Sequence, residues 1–196
     1  MFYEPKKGHP FKVDPFKALI FPRPIGWIST INKNGVANLA PYSYFNAIAD
    51  EPPQVMFCSN GSSLHNKYKD SLSNILSTKE FVVNFATSET RDKMNKSSGD
   101  FKPNDDEFNL ANLRKKKSKI VKAPSVLNSP VNLECKLSKI IKLKTKSKET
   151  STMIIGEVIG VFINNKFIKN NKVDSVEMRY IARLGYSEYT TISKKF

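Results

Sequence analysis

Short runs of alternating apolar and polar residues dominate the chain and predict many β-strands. The predicted strand segments are residues 18–21, 24–31, 36–44, 54–58, 80–85, 131–137, 153–163 and a closing segment, 180–190. Asn34-Gly35 separates the second and third segments. This dipeptide favours a tight hairpin because both of its residues tolerate a positive φ. The pattern therefore predicts a β-hairpin early in the chain, followed by further strands.

Two segments show helical spacing instead. Residues 67–76 place their apolar side chains on one face, and Ser88 is a suitable N-cap for a second short helix. Residues 99–112 are acidic and have the composition of a loop. Because strands do not alternate regularly with helices, we expect a mainly β protein, an antiparallel barrel with a few inserted short helices. Residues 1–196 are expected to form one domain.

Composition narrows the class of protein. Hydrophobic residues make up 39% of the 196 residues, which is typical of a folded chain. The longest apolar run, residues 153–163, is too short to span a membrane, and residues 1–19 do not resemble a signal peptide. A cytoplasmic protein is therefore expected. Cys58 and Cys135 are far apart and predict reduced buried thiols, while two histidines make a histidine-rich metal site improbable.

The formal net charge of +14 is compatible with several kinds of partner. Basic charge attracts nucleic acids, anionic membranes and phosphorylated ligands. Lys142, Lys144, Lys146 and Lys148 recur with period two and share one face of an extended ribbon. Such a row is most often a solvated strand face, and it lacks the interleaved aromatic residues of single-strand binders. A basic barrel that binds nucleic acid is therefore the less favoured alternative.

Motifs for protein-borne catalysis are missing. The sequence has no GxGxxG after a strand, no GxxxxGK[ST], no GxSxG and no HExxH. If the protein is an enzyme, a bound cofactor is expected to supply the chemistry.

Residues 59–74, SNGSSLHNKYKDSLSN, combine three features that a phosphate group requires. The segment offers serine hydroxyls, the positive charges of Lys67 and Lys69, and a helix N-terminus. A surface loop followed by an ordinary cap at Asp70 or Ser71 explains the same residues. The sequence alone leaves both interpretations open.

The hairpin of residues 22–45 carries small polar residues and prolines where its pairing should be regular. Pro41 removes a backbone donor, so pairing must break locally and neighbouring amides become available to a ligand. A kink at a barrel corner would produce the same pattern. Near the C-terminus, Arg179-Tyr180 and residues 183–189 interleave arginine with tyrosine, which suits either ligand contacts or an exposed edge strand.

Taken in order, these segments resemble the flavin reductase-like family of FMN-binding split-barrel proteins. The resemblance rests on RPIGWIST, a hairpin glycine (Gly35), NLAPYSYF, the Pro52-Pro53 pair, KDSLSNI, EFVVNF, GEVIGVFI and RLGYSEY. It covers nearly the whole chain. Two features depart from the family pattern: SSLHNKY replaces a glycine-rich basic loop, and Tyr186 stands where relatives often have glycine.

The resemblance implies an antiparallel split β-barrel and a homodimer with FMN near the subunit interface. It also implies an oxidoreductase that passes reducing equivalents from NAD(P)H to flavin or another small acceptor. A non-catalytic FMN-binding protein of the same fold is the alternative. By position, the implied cofactor contacts are Trp27, Ser29, Thr30, Asn38, Ala40, Pro41, Ser43, Ser59, Lys69, Asp70, Ser71, Asn74, Arg183 and Tyr186.

Overall fold

A seven-stranded antiparallel sheet organises the computed structural model, which describes residues 1–63, 68–102, 104–145 and 150–195. The strands are β1 Arg23–Pro24, β2 Gly26–Ile31, β3 Ala37–Tyr42, β4 Phe45–Asp50, β5 Pro53–Asn60, β6 Glu80–Asn84, β7 Lys115–Lys116, β8 Ser125–Val126, β9 Val131–Leu143, β10 Ser151–Ile163, β11 Ile168–Lys169, β12 Lys172–Val173, β13 Ile181–Arg183 and β14 Tyr189–Thr191. The large sheet has the order β3-β2-β6-β9-β10-β5-β4, and β1, β13 and β14 form a smaller sheet.

In the described part of the chain, four short α-helices interrupt the strands. They are α1 Phe16–Leu19, α2 Asp70–Thr78, α3 Arg91–Lys96 and α4 Glu107–Leu110, and three 3-10 helices lie at Pro5–Lys7, Ser88–Thr90 and Asn165–Phe167. Among the described residues, no helix has the length and apolar character needed to cross a bilayer. The prediction of a mainly β, antiparallel fold with a few inserted helices is confirmed.

The β2–β3 hairpin forms as its sequence predicts, but its turn is longer than two residues. The Asn32 carboxamide accepts hydrogen bonds from the amides of Asn34 and Val36, each at 2.9 Å. Gly35 takes a φ of +83°, which a residue with a Cβ adopts only with strain. The hydrogen bonds of Asn32 and the conformation of Gly35 therefore set the register that pairs Trp27 with Pro41.

Two hydrophobic cores lie on opposite faces of β2. Trp27 packs with Leu39 and Phe108 in one core, whereas Ile28 packs with Phe57 and the apolar face of α2 in the other. Successive side chains of a strand point to opposite faces, so these neighbours enter different cores. Burying each large side chain of this kind stabilises the fold by roughly 1.5–3 kcal/mol. As a result, β2 has no face exposed to a ligand.

Several predicted elements need correction. Residues 18–21 are not a strand, because Asp14 accepts a hydrogen bond from the Phe16 amide at 2.9 Å and starts the turn of α1. No alternation of apolar and polar residues predicted strand β4, because every side chain after Phe45 is exposed along this edge strand. The apolar run 153–163 suggested a buried strand, but β10 is only partly buried: Ile154 is fully buried, whereas Val161 is 61% exposed.

The helical predictions are mostly confirmed, with shifted boundaries. The helix predicted over residues 67–76 begins at Asp70. Lys67, and Lys146 and Lys148 of the lysine row, lie outside the residues that the structure describes. The second helical segment is capped by Thr87 rather than Ser88, through a reciprocal pair of hydrogen bonds with Thr90. Cys58 and Cys135 are free buried thiols, as predicted.

The segment predicted as an acidic loop contains α4. Asp106 caps this helix by accepting a hydrogen bond from the Phe108 amide at 3.0 Å. Phe108 is fully buried in the core beside Trp27. Because α4 is short and surrounded by polar residues, its single large apolar anchor gives no periodic pattern.

A buried arginine joins the segment around α1 to the turn after β13. The Arg23 guanidinium donates hydrogen bonds to the carbonyls of Lys17 and Ile20, and to the Leu184 carbonyl at 2.7 Å. Arg23 is 7% exposed. It therefore fixes the segment around α1 against the turn that follows β13.

Candidate functional site

A cleft of about 380 Å³ lies between the free edge of β3, the start of α2 and the segment 97–107. Strand β3 is an edge of the large sheet, so one side of its backbone has no neighbouring strand among the described residues. The predicted residues that line the cleft are Asn38, Ala40, Pro41, Ser43, Lys69, Asp70 and Ser71. The hairpin and the KDS motif, which are separate in sequence, thus form opposing walls of one site.

Asn38 and Ser71 join these two walls. The Ser71 hydroxyl donates to the Asn38 side-chain oxygen at 2.7 Å, and the Thr30 hydroxyl donates to the same oxygen at 3.2 Å. Asn74 in turn donates to the Thr30 hydroxyl at 3.0 Å. Thr30 and Asn74 are not among the lining residues, and they support the wall from behind.

Glu107 completes this network and was not predicted from the sequence. Its carboxylate accepts hydrogen bonds from the Asn38 side-chain amide at 2.6 Å and from the Leu39 backbone amide at 3.0 Å. The residue lines the cleft but is only 5% exposed. Burial raises the pKa of Glu107 to about 7, aided by the nearby charge of Asp70 and opposed by these hydrogen bonds.

Two buried hydroxyls beside the cleft have no hydrogen-bond partner among the described residues. They belong to Tyr42, which lines the cleft, and to Ser59, which is 1% exposed. Burial raises the pKa of Tyr42 to about 12, so its phenol is a neutral donor at pH 7. The hydroxyls of Ser59 and Ser71 lie near the phenol, but neither makes a well-formed hydrogen bond with it. An unpaired buried hydroxyl costs about 1–3 kcal/mol, which a suitable ligand atom would offset.

The N-terminus of α2 adds further donors. Lys69 is the N-cap, instead of Asp70 or Ser71, and no side chain caps the helix. The first turn of a helix leaves backbone N–H groups without partners inside the helix and carries a partial positive charge. Ser62 and Ser63 also line the cleft next to this end of the helix. This corner therefore provides donors and positive charge suited to an anionic group.

Other predicted residues lie away from the cleft. The Trp27 side chain is fully buried and donates to the Ser97 hydroxyl at 2.9 Å. The Ser29 hydroxyl donates to the Pro124 carbonyl at 2.6 Å and is also fully buried. Neither side chain lines the cleft. Both stand on β2, whose two faces are covered by the cores.

Arg183 and Tyr186 belong to the C-terminal region and also do not line the cleft. Arg183 donates to the Tyr186 carbonyl at 3.1 Å and packs over the Tyr189 ring, 4.6 Å from its centroid. Tyr186 has a φ of +51° and is 53% exposed. Arg183 therefore stabilises the turn that contains Tyr186.

The ionisable groups of the cleft are mixed in sign. Three carboxyl groups, from Asp70, Asp100 and Glu107, face two lysines, Lys17 and Lys69. No cluster of three or more potential metal ligands occurs within the described ranges. Lys69 and Asp70 lie at the start of α2, Lys17 lies on α1, and Glu107 lies at the wall that β3 and α4 share.

Comparisons with known proteins match both the sequence and the fold. Residues 18–179 match the family model described as flavin reductase like domain. An uncharacterized protein of Aquifex aeolicus is 40% identical over 172 residues, covering 87% of this chain and 85% of the relative.

Two solved structures are similar over most of their length. Nitrilotriacetate monooxygenase component B from Bacillus cereus has a TM-score of 0.89 and 26% identity, covering 100% of this chain and 97% of that one. A split-barrel protein from Shewanella frigidimarina has a TM-score of 0.78 and 19% identity, covering 89% and 84%. The chain therefore has a split-barrel fold.

Proposed function

The chain belongs to the flavin reductase-like family, and we propose that it is an oxidoreductase that binds FMN in the cleft between β3 and α2. In this proposal NAD(P)H supplies the reducing equivalents, and flavin or another small molecule accepts them. The family match and the similarity to a monooxygenase component support a flavin-linked redox role. The cleft volume of about 380 Å³ lies within the range typical of small-molecule sites.

The observation that carries the proposal is the set of unused donors at one corner of the cleft. The hydroxyls of Tyr42 and Ser59 are buried without partners, next to the uncapped N-terminus of α2 and Lys69. A phosphate group takes up hydroxyl donors, helix N–H groups and a nearby cation together. The residues present therefore fit the phosphate end of FMN. We assign Ser59, Lys69 and Ser71, with Asp70 as their neighbour, to this end.

The β3 wall suits the flavin ring. Asn38, Ala40, Pro41 and Ser43 have small or compact side chains, which let a planar ligand approach the backbone. Strand β3 is an edge of the large sheet, so its unpaired backbone groups can meet the polar edge of such a ring, apart from the Leu39 amide, which donates to Glu107. We assign these four residues to ring contacts. Trp27, Ser29, Thr30 and Asn74 are assigned to support of the wall.

Bound flavin would supply the hydride and electron chemistry, and the protein would supply binding, orientation and electrostatics. The neutral Tyr42 phenol is available to donate a hydrogen bond to the ligand, and the hydrogen bonds of Glu107 hold β3 in place. No side chain is assigned as a catalytic residue. This division of labour agrees with a sequence that lacks motifs for protein-borne catalysis.

We further propose that the protein forms a homodimer. Ile48 on the edge strand β4 is 47% exposed, and Val161 and Phe162 at the end of β10 are 61% and 38% exposed. Strand β10 extends beyond its pairing with β5, at the end of the sheet where β4 and β5 meet. Large apolar residues exposed on strands of the same sheet suit a subunit interface. Sedimentation analysis of the purified protein tests the assignment.

The proposed function is tested by a visible absorption spectrum. Purified protein incubated with FMN should retain the yellow cofactor after gel filtration, and anaerobic NADH or NADPH should bleach the flavin band. Bleaching with a steady loss of NAD(P)H on addition of an acceptor would establish turnover. Retained flavin that neither nucleotide reduces would point to the non-catalytic FMN-binding alternative. Protein that takes up no FMN would refute the function.

A further inference from the structure

We propose that Glu107 couples flavin binding to proton uptake, its carboxyl group taking a proton from solvent when the phosphorylated cofactor enters the cleft. The inference rests on the proposed function and assigns a role to a residue that no sequence motif indicated. It would make the occupancy of the site depend on pH. The argument uses the position, the hydrogen bonds and the charged surroundings of this one side chain.

The carboxyl group of Glu107 is held firmly in the cleft wall. Each of its oxygens accepts one hydrogen bond from β3, at 2.6 Å from Asn38 and 3.0 Å from the Leu39 amide. No lysine or arginine forms an ion pair with it within the described part of the chain. The hydrogen bonds favour the ionised form, but burial without a compensating positive charge is the larger effect and favours the neutral form.

The charges around Glu107 also favour its neutral form. The titratable or charged groups on the elements around Glu107 are Lys17 and Lys69 at the cleft, Asp70 on α2, Asp100, Lys102 and Asp105 in the segment before α4, Tyr42 on β3, Asp106 paired with Lys115 beside α4, and Arg91, Asp92, Lys93 and Lys96 on α3. Asp70 raises the pKa of Glu107 further, and the Tyr42 phenol is neutral. With every carboxylate ionised, the cleft carries more negative than positive charge.

A phosphate monoester brings a charge of about −1.5 to −2 into this cleft. Its field disfavours an ionised Glu107, and a proton on Glu107 removes one of the three opposing carboxylates. Because burial already raises the pKa of Glu107 to about 7, protonation near neutral pH requires little free energy. The carbonyl oxygen of a protonated carboxyl group still accepts a hydrogen bond, so a link from Glu107 to Asn38 or to Leu39 persists. Proton uptake therefore does not detach α4 from the β3 wall.

The test is isothermal titration of the purified protein with FMN at pH 7.5, in buffers that differ in ionisation enthalpy. We expect uptake of a fraction of a proton per FMN bound, and an affinity that falls up to about tenfold per pH unit between pH 7 and 9. The phosphate itself has a pKa near 6 and is already ionised in this range. Binding of FMN without proton uptake would overturn the role of Glu107 and leave the flavin function standing. No binding of FMN would overturn both.

Two variants test whether Glu107 is the residue that takes up the proton. Glu107→Gln should bind FMN without proton uptake and with a flat pH profile between pH 7 and 9. Glu51→Gln removes an exposed carboxylate from the β4–β5 turn and should behave like the wild-type protein. Infrared difference spectra of the wild-type protein add a readout that needs no variant, since FMN at pH 8 should produce a protonated-carboxyl band. Uptake that persists in folded Glu107→Gln, or the absence of that band, would contradict the assignment.

Discussion

The hydroxyl of Ser71 lies 2.7 Å from the side-chain oxygen of Asn38, and this hydrogen bond joins the first turn of α2 to strand β3. Both residues are buried, Ser71 at 1% and Asn38 at 7% exposure. The bond is therefore shielded from water and sets the separation of the two cleft walls. A site whose walls are fixed in advance loses little entropy when a rigid planar ligand binds.

Replacing this hydroxyl tests whether the link matters. Ser71→Ala should lower the free energy of unfolding by about 0.5–1.5 kcal/mol, because the side-chain oxygen of Asn38 loses one of its two buried donors and keeps the Thr30 hydroxyl. FMN affinity should fall as well, by roughly tenfold. Chemical denaturation and FMN fluorescence quenching measure the two effects. Ser73→Ala, on the same helix but outside the cleft lining, should change neither, and an equal effect of both variants would count against the link.

Lys69 should act on the phosphate and not on the flavin ring. Lys69→Ala is expected to weaken FMN binding by about 1.5–3 kcal/mol, the typical contribution of a charged hydrogen bond, and to leave riboflavin binding nearly unchanged. Titrations with the two flavins give the comparison. Lys172→Ala, an exposed lysine on β12, is the matched control. If Lys69→Ala weakened both flavins equally, the phosphate end would be placed wrongly.

Tyr42→Phe should separate binding from stability. The Tyr42 hydroxyl is buried and unpaired, so its removal should leave thermal stability unchanged or raise it by up to about 1 kcal/mol. The same change should weaken FMN binding severalfold, because a donor to the ligand is lost. Thermal melts with and without FMN measure both quantities. A marked loss of stability in the ligand-free variant would mean that the hydroxyl has a partner within the protein.

Glu107 should make the stability of the ligand-free protein depend on pH. Its folded-state pKa of about 7 is above the unfolded value, so between pH 4.5 and 7 the folded state binds more protons. Its contribution to the unfolding free energy therefore decreases as pH rises through this range, by up to about 3 kcal/mol. Denaturation curves at several pH values, compared between the wild-type protein and Glu107→Gln, isolate this contribution. A Gln variant with the same pH slope would contradict it.

The sequence predicted the elements whose signals are local. Asn34-Gly35 specified the hairpin, and the apolar spacing of residues 68–76 specified α2. The resemblance named residues on β3 and at the start of α2, and seven of the named residues line the cleft. It also selected Trp27 and Ser29, yet their positions on an interior strand depend on which other segments cover β2. That covering is a tertiary property, which alternation along one strand cannot reveal.

Glu107 shows what a single sequence cannot reveal. Its partner Asn38 is 69 residues away in the chain, and the segment around α4 resembles a polar loop. The carboxylate gains its buried surroundings and its shifted pKa only when α4 packs against β3. The unpaired hydroxyls of Tyr42 and Ser59 are equally invisible before the fold is known.

The guanidinium of Arg23 holds carbonyl groups from both the N-terminal segment and the turn after β13. Lys17, on the rim of the cleft, belongs to the segment that this arginine secures. Deleting the segment around α1 or the turn after β13 would remove carbonyl partners of Arg23, and the cleft rim at Lys17 would lose this support although neither segment belongs to the large sheet.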